Sequence, residues 1–139
     1  MINLFIALNT TIFLFISGIH FYWMFGGKWG LSAALPEMAN NKILNPSAFS
    51  TFVVAFGLLV FAGITIGQTG VFYFLPLHFF IVTNYCIATI FLLRAVGDFR
   101  YIGVFRKVNT TTFGIHDKKY FTPLCLIICV NCILIAILH

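Results

Sequence analysis

The sequence predicts an all-α integral membrane protein, a bundle of four transmembrane helices. Of the 139 residues, 61% are hydrophobic and only 8% are charged. Because a soluble domain has about 25% charged residues, this chain has too few charges to cover a surface that faces water. It also contains four apolar segments close to the ~20 residues that a helix needs to cross a bilayer. We therefore expect a single membrane domain over residues 1–139 whose surface mostly faces lipid.

The four predicted spans cover residues about 2–25, 47–67, 72–96 and 120–138. The first span lies at the N-terminus, but no basic segment precedes it and no small-residue cleavage site follows it. We therefore expect a retained helix and not a signal peptide. Asn45, Pro46 and Ser47 offer a helix cap and a first-turn proline for the second span.

The basic residues are distributed unequally among the loops. All eight Lys and Arg residues lie within residues 26–47 or 94–119, and none lies in the turn between the second and third spans. Four spans place these two loops on one side of the membrane, and the positive-inside rule assigns that side to the cytoplasm. We therefore expect a multi-pass protein of the cell membrane with both termini extracytoplasmic.

The net charge of +5 raises the question of an anionic partner. The basic residues flank apolar spans, which favours anionic lipid headgroups at the cytoplasmic face and argues against nucleic acid. A homo-oligomer or another membrane protein remains a possible partner.

Two motifs stand at the ends of the first and third spans. Residues 20–30 read HFYWMFGGKWG, and residues 94–106 read RAVGDFRYIGVFR. Together with residues 33–36 and 120–126, these motifs resemble the bacterial integral-membrane family known as domain of unknown function 3995. The resemblance covers most of the chain. It implies a four-span membrane protein and supplies no activity, cofactor or catalytic residue.

The ionisable residues near these motifs form the candidate site. Arg94 and Asp98 are four residues apart and could pair on one helix face. Asp98 follows a helix C-terminus, where the helix dipole disfavours a negative charge, so Arg94 or Arg100 should compensate it. The cluster would either bind an anionic group or move a proton, or it would be an ion pair that fixes the loop at headgroup depth. The hypothesised ligand-binding residues are Arg94, Asp98, Arg100, His20, Tyr22 and Tyr101.

His20 lies within the last two turns of the first span. An ionisable residue inside a span is a functional candidate, here as a proton carrier, a metal ligand or a haem ligand. The alternative is an interfacial histidine that hydrogen-bonds to a neighbouring loop. Trp23, Trp29 and Tyr120 lie at predicted helix ends, where we expect them to act as interfacial anchors.

The remaining polar residues of the spans favour structural roles. Asn9, Asn84 and Asn131 each need a hydrogen-bond partner because lipid offers none, and Asn9 and Asn131 fall at similar depth. The cysteines of the fourth span recur at helical spacing, which favours packing over a metal site. We expect neither a metal nor a cofactor.

The function that these patterns favour is non-enzymatic. It is a basic cytoplasmic-face site for a lipid headgroup, an anion or a protein partner. The sequence lacks a Walker loop, an HExxH motif and a GxSxG motif. One alternative is a small membrane-embedded enzyme that acts on an anionic lipid-soluble substrate, with His20 or Asp98 as the acid–base group. A second alternative is a subunit of an oligomeric transporter.

Overall fold

The computed structural model describes residues 1–35, 46–72, 75–97 and 112–138. The described residues are helical outside short turns. Their helices are α1 (Ile2–Met24), α2 (Leu31–Ala34), α3 (Ala48–Ile66), α4 (Leu77–Val96), α5 (Thr112–His116) and α6 (Thr122–Leu138). A π-helical turn, Gly67–Val71, extends α3, and a second one, Asp117–Phe121, joins α5 to α6.

Four of the helical segments in this described part are long and apolar enough to cross a membrane: Ile2–Met24, Ala48–Val71, Leu77–Val96 and Phe113–Leu138. They confirm the predicted all-α class with four helices that are long and apolar enough to span a membrane.

The last span begins earlier than predicted. The sequence places its start at about residue 120, because Asp117, Lys118 and Lys119 read as loop. In the structure the helix begins at Thr112 and runs through all three charges. Both lysines are exposed while Asp117 is fully buried, so the lysines point away from the apolar interior and only the carboxylate needs an internal partner.

Two helix ends show local reasons for their positions. The Oγ of Ser47 caps α3 by accepting a hydrogen bond from the Ser50 amide at 3.1 Å, and Pro46 lies just before this cap. Gly97 ends α4 with φ 79°, a left-handed conformation that glycine adopts without strain. Its amide donates to the Leu93 carbonyl at 2.8 Å.

The four long helices form a ring in chain order. α1 packs against α3, α3 against α4, and α4 against α6, and α6 returns to α1. The short helix α2, which follows α1, packs against α5, which precedes α6. The short helices α2 and α5 therefore lie together at one end of the bundle. We call this end, formed by the C-terminal ends of α1 and α4 with α2 and α5, the basic end.

Aromatic rings from three helices fill the middle of the ring. Phe13 of α1 is fully buried, with its ring centroid 5.9 Å from that of Phe61 in α3 and 5.6 Å from that of Phe91 in α4. The hydroxyl of Ser17 donates to the Ala55 carbonyl at 2.7 Å, which ties α1 to α3. Since lipid supplies no hydrophobic drive between helices, such packing and interhelical hydrogen bonds hold the bundle.

Asparagines link the first and last helices. Nδ2 of Asn131 donates to Oδ1 of Asn9 at 3.2 Å, and Nδ2 of Asn9 lies 3.2 Å from Sγ of Cys132. The predicted interhelical role of Asn9 and Asn131 is confirmed. Asn84 differs, because its fully buried amide makes no hydrogen bond within the described part of the chain.

Candidate functional site at the basic end of the bundle

The centre of the basic end is an ion pair between α4 and the π-helical turn that joins α5 to α6. Nη2 of Arg94 donates to Oδ1 of Asp117 at 3.0 Å. The Asp117 side chain is fully buried, whereas that of Arg94 is 34% exposed. The pair therefore joins an internal carboxylate to a guanidinium that reaches the surface of the bundle.

Asp117 has a second donor on its own helix. The hydroxyl of Thr122 donates to Oδ2 of Asp117 at 3.1 Å, so both carboxylate oxygens accept a hydrogen bond. A buried carboxylate is tolerated only when a countercharge and hydrogen bonds replace its lost hydration. Arg94 supplies the countercharge, and Arg94 and Thr122 each donate a hydrogen bond. These interactions help to explain how a charged residue can lie inside this helix.

The guanidinium of Arg94 keeps donor capacity. Its Nη1 atom is buried and has no hydrogen-bond partner among the residues that the structure describes. Arginine presents its donors in a planar fork that suits carboxylate and phosphate groups. Asp117 therefore orients the side chain, and one nitrogen remains for a second acceptor.

Three of the predicted site residues, Asp98, Arg100 and Tyr101, lie outside the described residues. The predicted pairing of Asp98 with Arg94 therefore stays a prediction. The acidic partner of Arg94 that the structure shows is Asp117, which the sequence reasoning missed.

His20 is half-buried near the end of α1, and its ring is bonded within its own helix. Nδ1 lies 2.8 Å from the Ile16 carbonyl oxygen, and because a carbonyl only accepts, Nδ1 carries the proton. The ring also packs edge-on against Trp23, with 4.9 Å between centroids. No hydrogen bond within the described residues joins His20 to Arg94 or Asp117, so the structure does not bring them into one hydrogen-bonded site.

The predicted aromatic anchors of the first motif contact one another. Nε1 of Trp23 donates to the Trp29 carbonyl at 2.8 Å, which folds residues 25–30 back along α1. Gly27 packs on the Tyr22 ring so closely that an added Cβ would lie 2.2 Å from a ring carbon. The first motif therefore encodes a fixed turn at the basic end, with the Trp29 side chain 73% exposed.

The third predicted anchor, Tyr120, is 51% exposed in the π-helical turn Asp117–Phe121 of the last span. Nζ of Lys119 lies 5.1 Å from its ring centroid, a distance at which a cation is attracted to the ring face. Its exposed ring and the adjacent lysines match the pattern of residues that sit at headgroup depth.

A sequence signal for Asp117 does exist. The chain has only three acidic residues, so each is a candidate countercharge for an arginine near a span. Thr122, five residues after Asp117, begins the apolar run, which places Asp117 about one turn before it. Twenty-three residues separate Asp117 from Arg94, however, and no local spacing rule connects them.

The comparisons with known proteins give one result. The family described as "Protein of unknown function (DUF3995)" matches residues 13–132. No curated protein and no solved structure gives a significant match. The match includes α3 and α4 and contains both motifs of the basic end, with Arg94, Asp117 and Trp29. The chain therefore belongs to the DUF3995 family.

Proposed function

We propose that the protein binds anionic lipid headgroups at the basic end of its bundle and is not an enzyme. The observation that carries the proposal is the state of Arg94. Asp117 fixes its guanidinium through Nη2, while Nη1 has no partner in the described part of the chain. At headgroup depth, a lipid phosphate oxygen is a suitable acceptor for this arginine nitrogen.

The field around Arg94 favours an anion although Asp117 cancels its formal charge. Lys118 and Lys119 are exposed at the same end, and each basic residue near an anionic bilayer surface adds about 1 kcal/mol of attraction. Arg94 would thus supply a directed donor and the lysines a non-directional attraction. Arg100 would add a second guanidinium from the residues between α4 and α5.

The positive-inside rule assigns this end to the cytoplasm, where anionic lipid is presented to it. We accordingly place the headgroup site on the cytoplasmic face of the cell membrane.

Native mass spectrometry of the protein in a mild detergent tests the proposal. The purified chain is titrated with phosphatidylglycerol and with phosphatidylcholine of identical acyl chains. We expect tighter retention of phosphatidylglycerol, because only its headgroup leaves the phosphate charge uncompensated. Equal retention of the two lipids would overturn the proposal.

Two arginine variants locate the headgroup. Arg100→Ala should weaken phosphatidylglycerol retention more than Arg106→Ala, which removes the same charge from the same loop. If both variants lose retention equally, the loop acts only through its total charge and Arg100 is not part of a defined site.

A further inference from the structure

An apolar groove runs along the outer face of α1 toward the basic end. It is open along one side, has a volume of about 590 Å³, and its lining is almost entirely apolar. The lining residues are Leu14, Phe15, Gly18, Ile19, Tyr22 and Trp29. From Leu14 to Tyr22 the groove follows α1 for about 12 Å, at 1.5 Å per helical residue.

A glycine keeps the floor of the groove open. Gly18 is exposed, and an added Cβ there would meet nothing within 4 Å. The Phe15 side chain lines the groove beside Gly18 and is 67% exposed. The notch at Gly18 is therefore a feature of the surface and not a site of contact between helices.

The turn at residues 25–30 closes the upper end of the groove. The hydrogen bond from Trp23 to the Trp29 carbonyl fixes this turn. Gly30 follows in a left-handed conformation with φ 73°, and α2 begins at the next residue. Trp29 and Tyr22 line the groove from above and both remain exposed. This roof is built by hydrogen bonds and packing within the protein, so the groove exists before anything enters it.

We propose that this groove holds one acyl chain of an anionic phospholipid whose headgroup lies against Lys28. The groove faces the bilayer, where the available apolar occupant is a lipid tail. Exposed Lys28 adjoins Trp29 at the upper end of the groove, which gives charge complementarity to a phosphate. Tryptophan and tyrosine at that end sit where headgroup and tail meet in a bilayer.

This site is distinct from the one at Arg94. The proposed headgroup site recognises charge through α4 and the following loop, whereas the groove recognises a tail through α1. The failure of one proposal therefore leaves the other standing.

Cross-linking with a lipid that carries a photoreactive group in its acyl chain tests the groove. We expect photoreactive phosphatidylglycerol to label residues 14–22 in the wild-type protein. Gly18→Leu fills the notch and should lower this labelling about fivefold, the change that follows from losing ~1 kcal/mol of apolar contact. Gly57→Leu is the matched control, because Gly57 also has nothing within 4 Å of an added Cβ but lies on α3.

A second variant tests the groove independently, in case Gly18→Leu does not fold. Leu14→Trp blocks the lower end of the groove, where the native side chain is 49% exposed and can be enlarged. Lys28→Ala should reduce labelling by phosphatidylglycerol and leave labelling by phosphatidylcholine unchanged. If labelling of residues 14–22 persists in folded Gly18→Leu and Leu14→Trp proteins, or falls equally in Gly57→Leu, the groove is not a lipid site. These readouts do not depend on Arg100, so they separate the groove from the headgroup site.

Discussion

Removing Arg94 while keeping its apolar stem isolates the energy of the buried ion pair. Arg94→Met removes the guanidinium that donates to the fully buried Asp117 carboxylate, whose other oxygen accepts from Thr122. Breaking a buried pair from one side destabilises a protein by about 3–5 kcal/mol. Because the Arg94 side chain is 34% exposed, water can partly replace it, and we expect the free energy of unfolding to fall by ~3 kcal/mol, the lower end of that range.

A double-mutant cycle shows whether the loss comes from the pair. Asp117→Asn removes the charge that Arg94 compensates and keeps an oxygen that can accept from Thr122. The double variant Arg94→Met/Asp117→Asn should therefore be more stable than the sum of the two single losses predicts, by about 1–2 kcal/mol. Lys118→Met is the control, because it removes an exposed charge from the same turn and should change stability by less than ~0.5 kcal/mol.

The free energy of unfolding would be measured by titrating sodium dodecyl sulfate into mixed micelles and following helicity by far-ultraviolet circular dichroism. A free energy of unfolding of Arg94→Met within ~0.5 kcal/mol of the wild-type value, the size expected of an ordinary surface substitution, would contradict a stabilising ion pair. Single losses that simply add in the double variant would contradict it as well.

Three further outcomes are expected. Asn131→Leu should lower the free energy of unfolding by ~0.6–2 kcal/mol. Adding Asn9→Leu should cause a smaller further loss, since both changes remove the same hydrogen bond, and purely additive losses would contradict the observed pairing. Gly67→Ala should destabilise the protein by about 1–3 kcal/mol, because the added Cβ would lie 2.4 Å from a ring atom of α4. Gly63→Ala is the control: an added Cβ there meets open space, so stability should hardly change in the same assay. A phosphatase reporter fused to His139 should be active and a cytoplasmic fluorescent reporter dark; a fluorescent, phosphatase-negative fusion would reverse the predicted topology.

Features that depend on the order of residues along a single helix were predictable from the sequence. Hydropathy found the four spans, because each transmembrane helix must satisfy its own backbone and present apolar side chains to lipid. Counting residues from the predicted helix ends put Asn9 and Asn131 at similar depth, and the structure joins them by a hydrogen bond of 3.2 Å.

Features that depend on long-range partners were not predictable. Asp117 has two lysines directly after it and reads as part of a loop, yet the helix passes through it because Arg94 of another helix neutralises it. Conversely, Asn84 has the same polar signal as Asn9, but its buried amide finds no partner in the described residues. A sequence shows that a buried polar group needs a partner, but which group provides it depends on how the helices pack.

The hydrogen bond between Asn131 and Asn9 has a consequence for how the chain is made. The two residues are 122 positions apart. At a synthesis rate of about 5–20 residues per second, roughly 6–24 s pass between the emergence of the first helix and that of the last. During that interval the amide of Asn9 sits in a newly inserted helix without its final acceptor or donor. The ring of helices can close only after synthesis is nearly complete, so a chain truncated before α6 would carry an unsatisfied amide in its first helix and should be an early target for membrane quality control.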